Sequence, residues 1–446
     1  MIRIKILSFA FILLSFAAGA QDSLSFIRRS TEILDLLNRQ KYQAVVDRLD
    51  SATAARLDSA RLGGAWRNLL KRAGPFNGVL DTSYDHQPNY DVVILQSLFG
   101  TKKIDIKTVY GAGGALKGVF FTATDTREKY HDPPYYRPEL FEEVPGELRN
   151  GENKMKSVLT VPKNRGRVPA VVLVHGTGPN DKDETVGATK IFRDLAVGLS
   201  ANGIAVLRYD KRTRAMAASL MRNQNILSPE EETIADAVAA VELLKKDPRI
   251  DTSRIWLAGH SMGAYLLPQV VKRAGFVKGM VLLSPHGRPL QDMLLEQDKY
   301  LLASSEGKSE AERAAIIDSI TVEASRVGKL TAANAGDSAR ILGLHPAYWL
   351  YLKQYDAVAT AKSSGKTILI LHGGRDFQVS DKDFQTWVEA FKGNVSVATR
   401  RYADLNHFYI KGSGKSLPEE YFKAGNVEEA VVLDIAGWIN NGSLPK

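Results

Sequence analysis

The chain has no cysteine among its 446 residues. Disulfides, thiolate-bound zinc or iron–sulfur centres, a thiol nucleophile and lipid attachment through an N-terminal cysteine are all excluded. Long apolar runs are also missing: after residue 20, no stretch is long and uncharged enough to span a bilayer. The formal net charge is +9, yet Lys and Arg alternate with Asp and Glu. There is no arginine-rich run and no aromatic platform between basic residues, which leaves nucleic-acid binding without support. Internal repeats and low-complexity tracts are absent. What remains is ordinary globular composition, 44% hydrophobic and 24% charged, at a length that suggests two or three domains.

Residues 1–20 stand apart. Arg3 and Lys5 precede an apolar run from Ile6 to Phe16, and Ala18-Gly19-Ala20 offers small residues for cleavage. This is the pattern of a signal peptide, which predicts a periplasmic or secreted protein; an uncleaved anchor is the other reading. Residues 21–125 read as a small α+β domain. Leu24, Ile27, Ile33, Leu34 and Leu37 recur at helical spacing, as do Leu57, Leu62, Trp66 and Leu69. Three strands follow, at Val92–Leu95, Ile104–Val109 and Gly118–Phe121, with Gly111–Gly114 as a hairpin turn. Residues 126–140, with Pro133, Pro134 and Pro138, read as a semi-rigid linker.

From residue 141 to 446, apolar strands alternate with helices, which predicts a mostly parallel sheet buried on both faces. The strands are expected at Val158–Val161, Ala170–Val174, Ile204–Leu207, Arg254–Ala258, Met280–Leu283, Thr367–Leu371 and Val395–Val397. In such sheets ligands bind at the carboxyl ends of the strands. One interval breaks the rhythm. Residues 286–364 carry three helical patterns, Leu290–Leu302, Ala311–Val327 and Pro346–Val358, and are expected to form a lid over the strand ends.

The candidate chemistry lies at those ends. Gly259-His260-Ser261-Met262-Gly263 follows a strand and opens a helix, the setting in which a serine sits on a turn too tight for flanking side chains. A serine hydroxyl needs a histidine to remove its proton and a carboxylate to orient that histidine. His407 follows the last strand and Asp376 the strand before it, which gives the chain order Ser261, Asp376, His407. Asp381 and Asp404 are the alternative carboxylates. Backbone N–H groups of Met262 and Thr177, with Gly178 second to Thr177, are expected to receive an oxyanion. Arg208, Asp210, Lys211 and Arg212, at another strand end, read either as a carboxylate-binding patch or as an ion-pair network with Asp181 or Asp183.

Five stretches together carry a family resemblance: His175-Gly176-Thr177-Gly178-Pro179-Asn180-Asp181-Lys182-Asp183-Glu184-Thr185, Arg208-Tyr209-Asp210-Lys211-Arg212-Thr213, Gly259–Gly263, Arg375-Asp376-Phe377-Gln378-Val379 and Leu405-Asn406-His407-Phe408. The chain resembles the α/β-hydrolase superfamily, and within it the secreted bacterial esterases called serine aminopeptidase-like or dienelactone-hydrolase-like. Residues 24–122 resemble the small domain that often precedes them. The resemblance implies an exported hydrolase that cleaves small-molecule carboxylic esters through an acyl-enzyme, with Ser261, Asp376 and His407 as its triad and no cofactor or metal. A serine peptidase sharing the triad, and a non-catalytic binding module, are the other readings. Mixed charges on the expected lid, such as Glu296, Glu312 and Glu323 beside Lys299 and Arg313, look solvated, whereas Pro346–Leu352 is suited either to lining an apolar acyl pocket or to packing the lid on the core.

Overall fold

The computed structural model describes residues 10–444 except 88, 125–127, 164, 223–226 and 306, with side chains from residue 23 onward except 87, 221 and 222. Two compact units divide the chain, Met1–Thr126 and Arg127–Lys446. Residues 1–9 of the expected leader lie outside the described residues, and helix α1 (Ala10–Asn38) runs through the remainder. No helix among the described residues is long and apolar enough to cross a membrane.

In the first unit, α1 and α2 (Ser59–Ala73) accompany a four-stranded antiparallel meander. Its strands are β1 (Phe76–Gln87), β2 (Tyr90–Phe99), β3 (Lys102–Gly111) and β4 (Leu116–Ala123), in that order across the sheet. Alternate residues of β2, Val93, Leu95 and Phe99, join Leu37, Leu62 and Trp66 in the core. Trp66 meets Phe99 and Phe121 edge-on. Strand β1 has no counterpart in the sequence reading. It is an edge strand with two register shifts and exposed Val79 and Leu80, so it lacks the alternation that marks a half-buried strand.

The second unit is built on an eight-stranded mixed sheet. Its strands are β5 (Phe141–Asn150), β6 (Asn153–Pro162), β7 (Val168–Val174), β8 (Ala205–Tyr209), β9 (Ile250–His260), β10 (Gly279–Leu283), β11 (Thr367–Gly373) and β12 (Val397–Tyr402). They lie in the order β12-β11-β10-β9-β7-β8-β6-β5. Strand β6 runs antiparallel to both β5 and β8, and the remaining neighbours are parallel. Every residue of β7 is buried. Val172 and Val174 enter the core on one face, shared with α4 (Ala235–Leu244) and α5 (Met262–Arg273). Val171 and Leu173 enter the core on the other face, shared with α3 (Ile191–Ala201) and α11 (Glu429–Asn441). A run of apolar residues without alternation is what burial on both faces demands. The last strand begins at Val397, later than expected, and Val395 is almost fully exposed in the preceding turn.

Between β10 and β11 the described residues form four α-helices, α6 (Leu290–Ser304), α7 (Glu310–Gly328), α8 (Pro346–Lys353) and α9 (Ala357–Ser364), with a short 3-10 turn at Ala332–Asn334. The single helix expected over Pro346–Val358 is broken because Asp356 takes an extended conformation and caps α9, its side chain accepting from Ala359 N at 2.9 Å. Helix α10 (Asp381–Ala390) follows β11. The proline-rich stretch after residue 127 packs within the second unit: Tyr135 is buried and donates to Val427 O at 2.8 Å, and the Tyr130 hydroxyl lies 2.6 Å from Asp194.

Candidate active site

Ser261 sits between the end of β9 and the first turn of α5, with φ 53° and ψ −119°. A left-handed φ is costly for a residue with a side chain, and it persists where the surroundings over-determine it. Here the flanking glycines explain how. A Cβ on Gly259 would stand 2.6 Å from the carbonyl carbon of Gly263, and one on Gly263 would collide with the carbonyl oxygens of Val174 and His175. The helix therefore approaches the strands closely only because both side chains are missing. Ser261 N donates to Leu283 O at 2.8 Å, which ties the turn to β10.

His407 lies in a turn after β12. Asn406 organises that turn, its side-chain oxygen accepting from Phe408 N at 3.0 Å and Ile410 N at 3.1 Å. The buried Tyr409 hydroxyl donates to Leu371 O at 2.9 Å. Asp376, beyond β11, places Oδ2 2.6 Å from His407 Nδ1, while its Oδ1 accepts from Gln378 N and Val379 N at 2.8 and 2.9 Å. Burial pushes the Asp376 carboxyl up, but the His407 imidazole, with His372 and the Val379 N–H, outweighs it and holds the group below the usual carboxylate range. The alternative carboxylates are engaged elsewhere. Asp381 pairs with Arg401 at 2.7 Å and Asp404 with Lys411 at 3.4 Å.

Ser261 and His407 share the wall of one cavity of about 660 Å³, together with Gly176, Thr177, Gly178 and Met262. Helices α6 and α8 contribute Leu290, Met293, Leu294, Gln297 and Tyr348 to the same wall. The stretch Pro346–Leu352 lines it only through Tyr348. Trp349 is instead fully buried in the core, with Nε1 donating to Ile341 O at 2.7 Å. Among the described residues, no cluster of three His, Asp or Glu side chains is placed to hold a metal ion.

Residues 171–420 match the alpha/beta hydrolase family. Over 424 residues, the chain is 33% identical to Esterase EstD of Thermotoga maritima, with 95% of this chain and 96% of that protein covered. The chain is an α/β-hydrolase. Its solved structural likenesses include Est1E from Butyrivibrio proteoclasticus, at a TM-score of 0.41 and 17% identity, over 59% of this chain and 90% of that one. A dienelactone hydrolase from Anabaena variabilis has a TM-score of 0.41 and 14% identity, over 69% and 100% of the two chains.

In this α/β-hydrolase the charged residues at the end of β8 form an ion-pair network rather than an open patch. Arg208 donates to Asp183 at 2.9 Å and Thr160 at 2.6 Å and also pairs with Glu143, while Arg212 grips Asp236 through two nitrogens. In the segment between β10 and β11, Glu296 pairs with Arg288 and Lys382, and Glu312 completes the capping box of α7.

Two carboxylates at the site escape sequence reading. Glu184, buried and left-handed at φ 49°, accepts from Gly176 N at 2.8 Å and lies 3.3 Å from His260 Nδ1, out of line for a hydrogen bond. His260 Nε2 in turn meets His407 O at 3.1 Å. Burial opposes charge on His260, but Glu184 outweighs it and raises the imidazole above its usual range. Glu184 is correspondingly lowered against its own burial by His260. The second carboxylate, Glu232, also lines the cavity.

Proposed function

We propose that this α/β-hydrolase cleaves carboxylic esters through an acyl-enzyme, with Ser261 as nucleophile, His407 as general base and acid, and Asp376 as the carboxylate that orients it. The observation that carries the reading is the 2.6 Å contact between Asp376 Oδ2 and His407 Nδ1, made by a histidine that shares a cavity wall with the strained Ser261. An ionised Asp376 keeps the proton of neutral His407 on Nδ1 and leaves the Nε2 lone pair to take the Ser261 proton. As Ser261 Oγ bonds to the ester carbon, the carbonyl oxygen becomes an oxyanion, received by the N–H groups of Thr177 and Met262. Gly176 N–H is committed to Glu184, so Thr177 is the next amide along that loop. The His407 imidazolium returns its proton to the leaving alcohol, and water, deprotonated by the same histidine, releases the acid.

The helices between β10 and β11 act as a lid over this cavity, and residues 1–20 direct export to the periplasm or beyond, where the mature chain begins at Gln21. The similarity to Esterase EstD supports an ester rather than an amide as substrate. The test is stoichiometric labelling of Ser261 by an active-site phosphonate, followed by a panel of short acyl esters and matching aminoacyl amides. Labelling with esters turned over much faster than amides is expected. Folded protein that takes no label overturns the mechanism, and a preference for the amide makes the protein a peptidase.

A further inference from the structure

The cavity has a second, polar pole. Much of its wall is apolar, from Met262, Leu290, Met293, Leu294, Leu342 and Leu344, but Glu232, Thr213 and Tyr348 interrupt that wall. Glu232 stands on a π-helical turn, Glu230–Ile234, at the start of α4, and such turns re-aim side chains and recur at functional sites. Its carboxylate lies 2.9 Å from Lys211 Nζ, and burial together with this neighbouring charge raises the Tyr348 phenol well above its usual range. The Lys211 side chain is 3% exposed, and Nζ donates to Gly176 O at 2.8 Å. Glu232 is thus two hydrogen-bond lengths from the loop beside Ser261, where a methyl on Gly176 would come within 3.3 Å of Ser261 Cβ. Thr213 Oγ1 is buried at the same wall with no partner among the described residues.

The charges decide which substituent suits this pole. Lys211 and Glu232 already balance one another, so an ammonium or carboxylate on the substrate would be desolvated there without a free counter-charge. An alkyl group would leave the Thr213 hydroxyl as it is, buried and without a partner among the described residues. A neutral hydroxyl can donate to the carboxylate and accept from Thr213. We infer that the cavity selects esters bearing a hydroxyl group near the scissile carbonyl, bound by Glu232, Thr213 and Tyr348.

This inference rests on the ester-hydrolase reading of Ser261. It is tested on the full chain with two matched pairs. 4-Nitrophenyl butyrate against its 3-hydroxy analogue places the hydroxyl on the acyl side, and ethyl butyrate against 2-hydroxyethyl butyrate places it on the alcohol side. The hydroxylated member of at least one pair is expected to be favoured about tenfold or more in kcat/KM, as a site built to bond a hydroxyl disfavours the analogue without it. Thr213→Val and Tyr348→Phe should bring that ratio toward one. They decide the matter even if Glu232→Gln, which strands Lys211, does not fold. A ratio of one or less in both pairs, or a ratio that neither variant changes, overturns the inference. If Ser261 still takes the phosphonate in that case, the hydrolase reading survives alone; without label or turnover, both fall.

Discussion

Alanine at position 261 removes a hydroxyl but keeps the strained φ, whereas glycine removes the strain as well. Ser261→Ala is therefore expected to abolish ester turnover with thermal unfolding nearly unchanged. Ser261→Gly should be equally inactive but more stable by about 1 kcal/mol, the scale of strain at a left-handed residue with a side chain; calorimetry on the two variants compares them directly. Asp376→Asn should lower kcat on the order of 10⁴-fold, the loss seen when a triad histidine is held in the wrong tautomer, and Asp404→Asn should be mild; a reversed order in steady-state kinetics would move the acid to the other loop. The Glu184–His260 pair has a pH signature of its own. A histidine raised in the folded state stabilises fully below its unfolded value of 6.5 and loses that contribution as pH rises through the folded one. A lowered glutamate contributes above 4.5 and loses its share as pH falls through its folded value. The Tm deficit of Glu184→Gln should accordingly be widest between these two values and narrow toward alkaline pH. Ser261 and His407 carry local sequence signatures, a glycine-flanked turn and a position after the last strand. Glu184 lies in a stretch that carries the family resemblance, yet neither it nor Glu232 shows its role there, because their partners His260 and Lys211 are brought to them only by the fold.

At the scale of elements, the junction of β9 and α5 depends on an absence of atoms. Gly263→Ala forces a Cβ into the carbonyls of β7 and its following turn, and backbone cannot retreat as a flexible side chain can. Expression as insoluble or largely unfolded protein is the expected outcome, while Ala264→Gly beside it should be tolerated; circular dichroism on both variants checks this. Buried strands such as β7 and β10 are legible because nearly every residue is apolar, and α5 because its apolar positions keep helical spacing. Strand β1 is not, since an edge exposed to water needs no apolar alternation. The break between α8 and α9 is hidden for a related reason: Asp356 caps a helix inside a stretch whose apolar pattern continues across it.

At the scale of the molecule, the proposed catalytic residues all belong to the second unit, whose fold includes the proline-rich stretch after residue 127. A chain beginning at Arg127 should hydrolyse small soluble esters at rates close to those of the full protein. Beginning instead at Arg137 removes Tyr130 and Tyr135, and the loss of a buried aromatic side chain should cost roughly 3–5 kcal/mol. Chemical denaturation of the two truncated chains measures the difference, and an inactive but folded chain from Arg127 would show that the first unit completes the site. The linker pattern in the sequence reflects prolines in an irregular segment, and irregular segments pack as readily as they span.

Strand order has a consequence for the nascent protein. Ser261 follows β9, near the middle of the sheet, whereas His407 arrives only after β12, the strand laid down last on the outer edge. On the ribosome, the Ser261 hydroxyl is therefore made long before the proposed base. Half-finished chains, and chains clipped before residue 407, hold the proposed nucleophile without its proposed base. The proposed triad is complete only when the last edge of the sheet has closed.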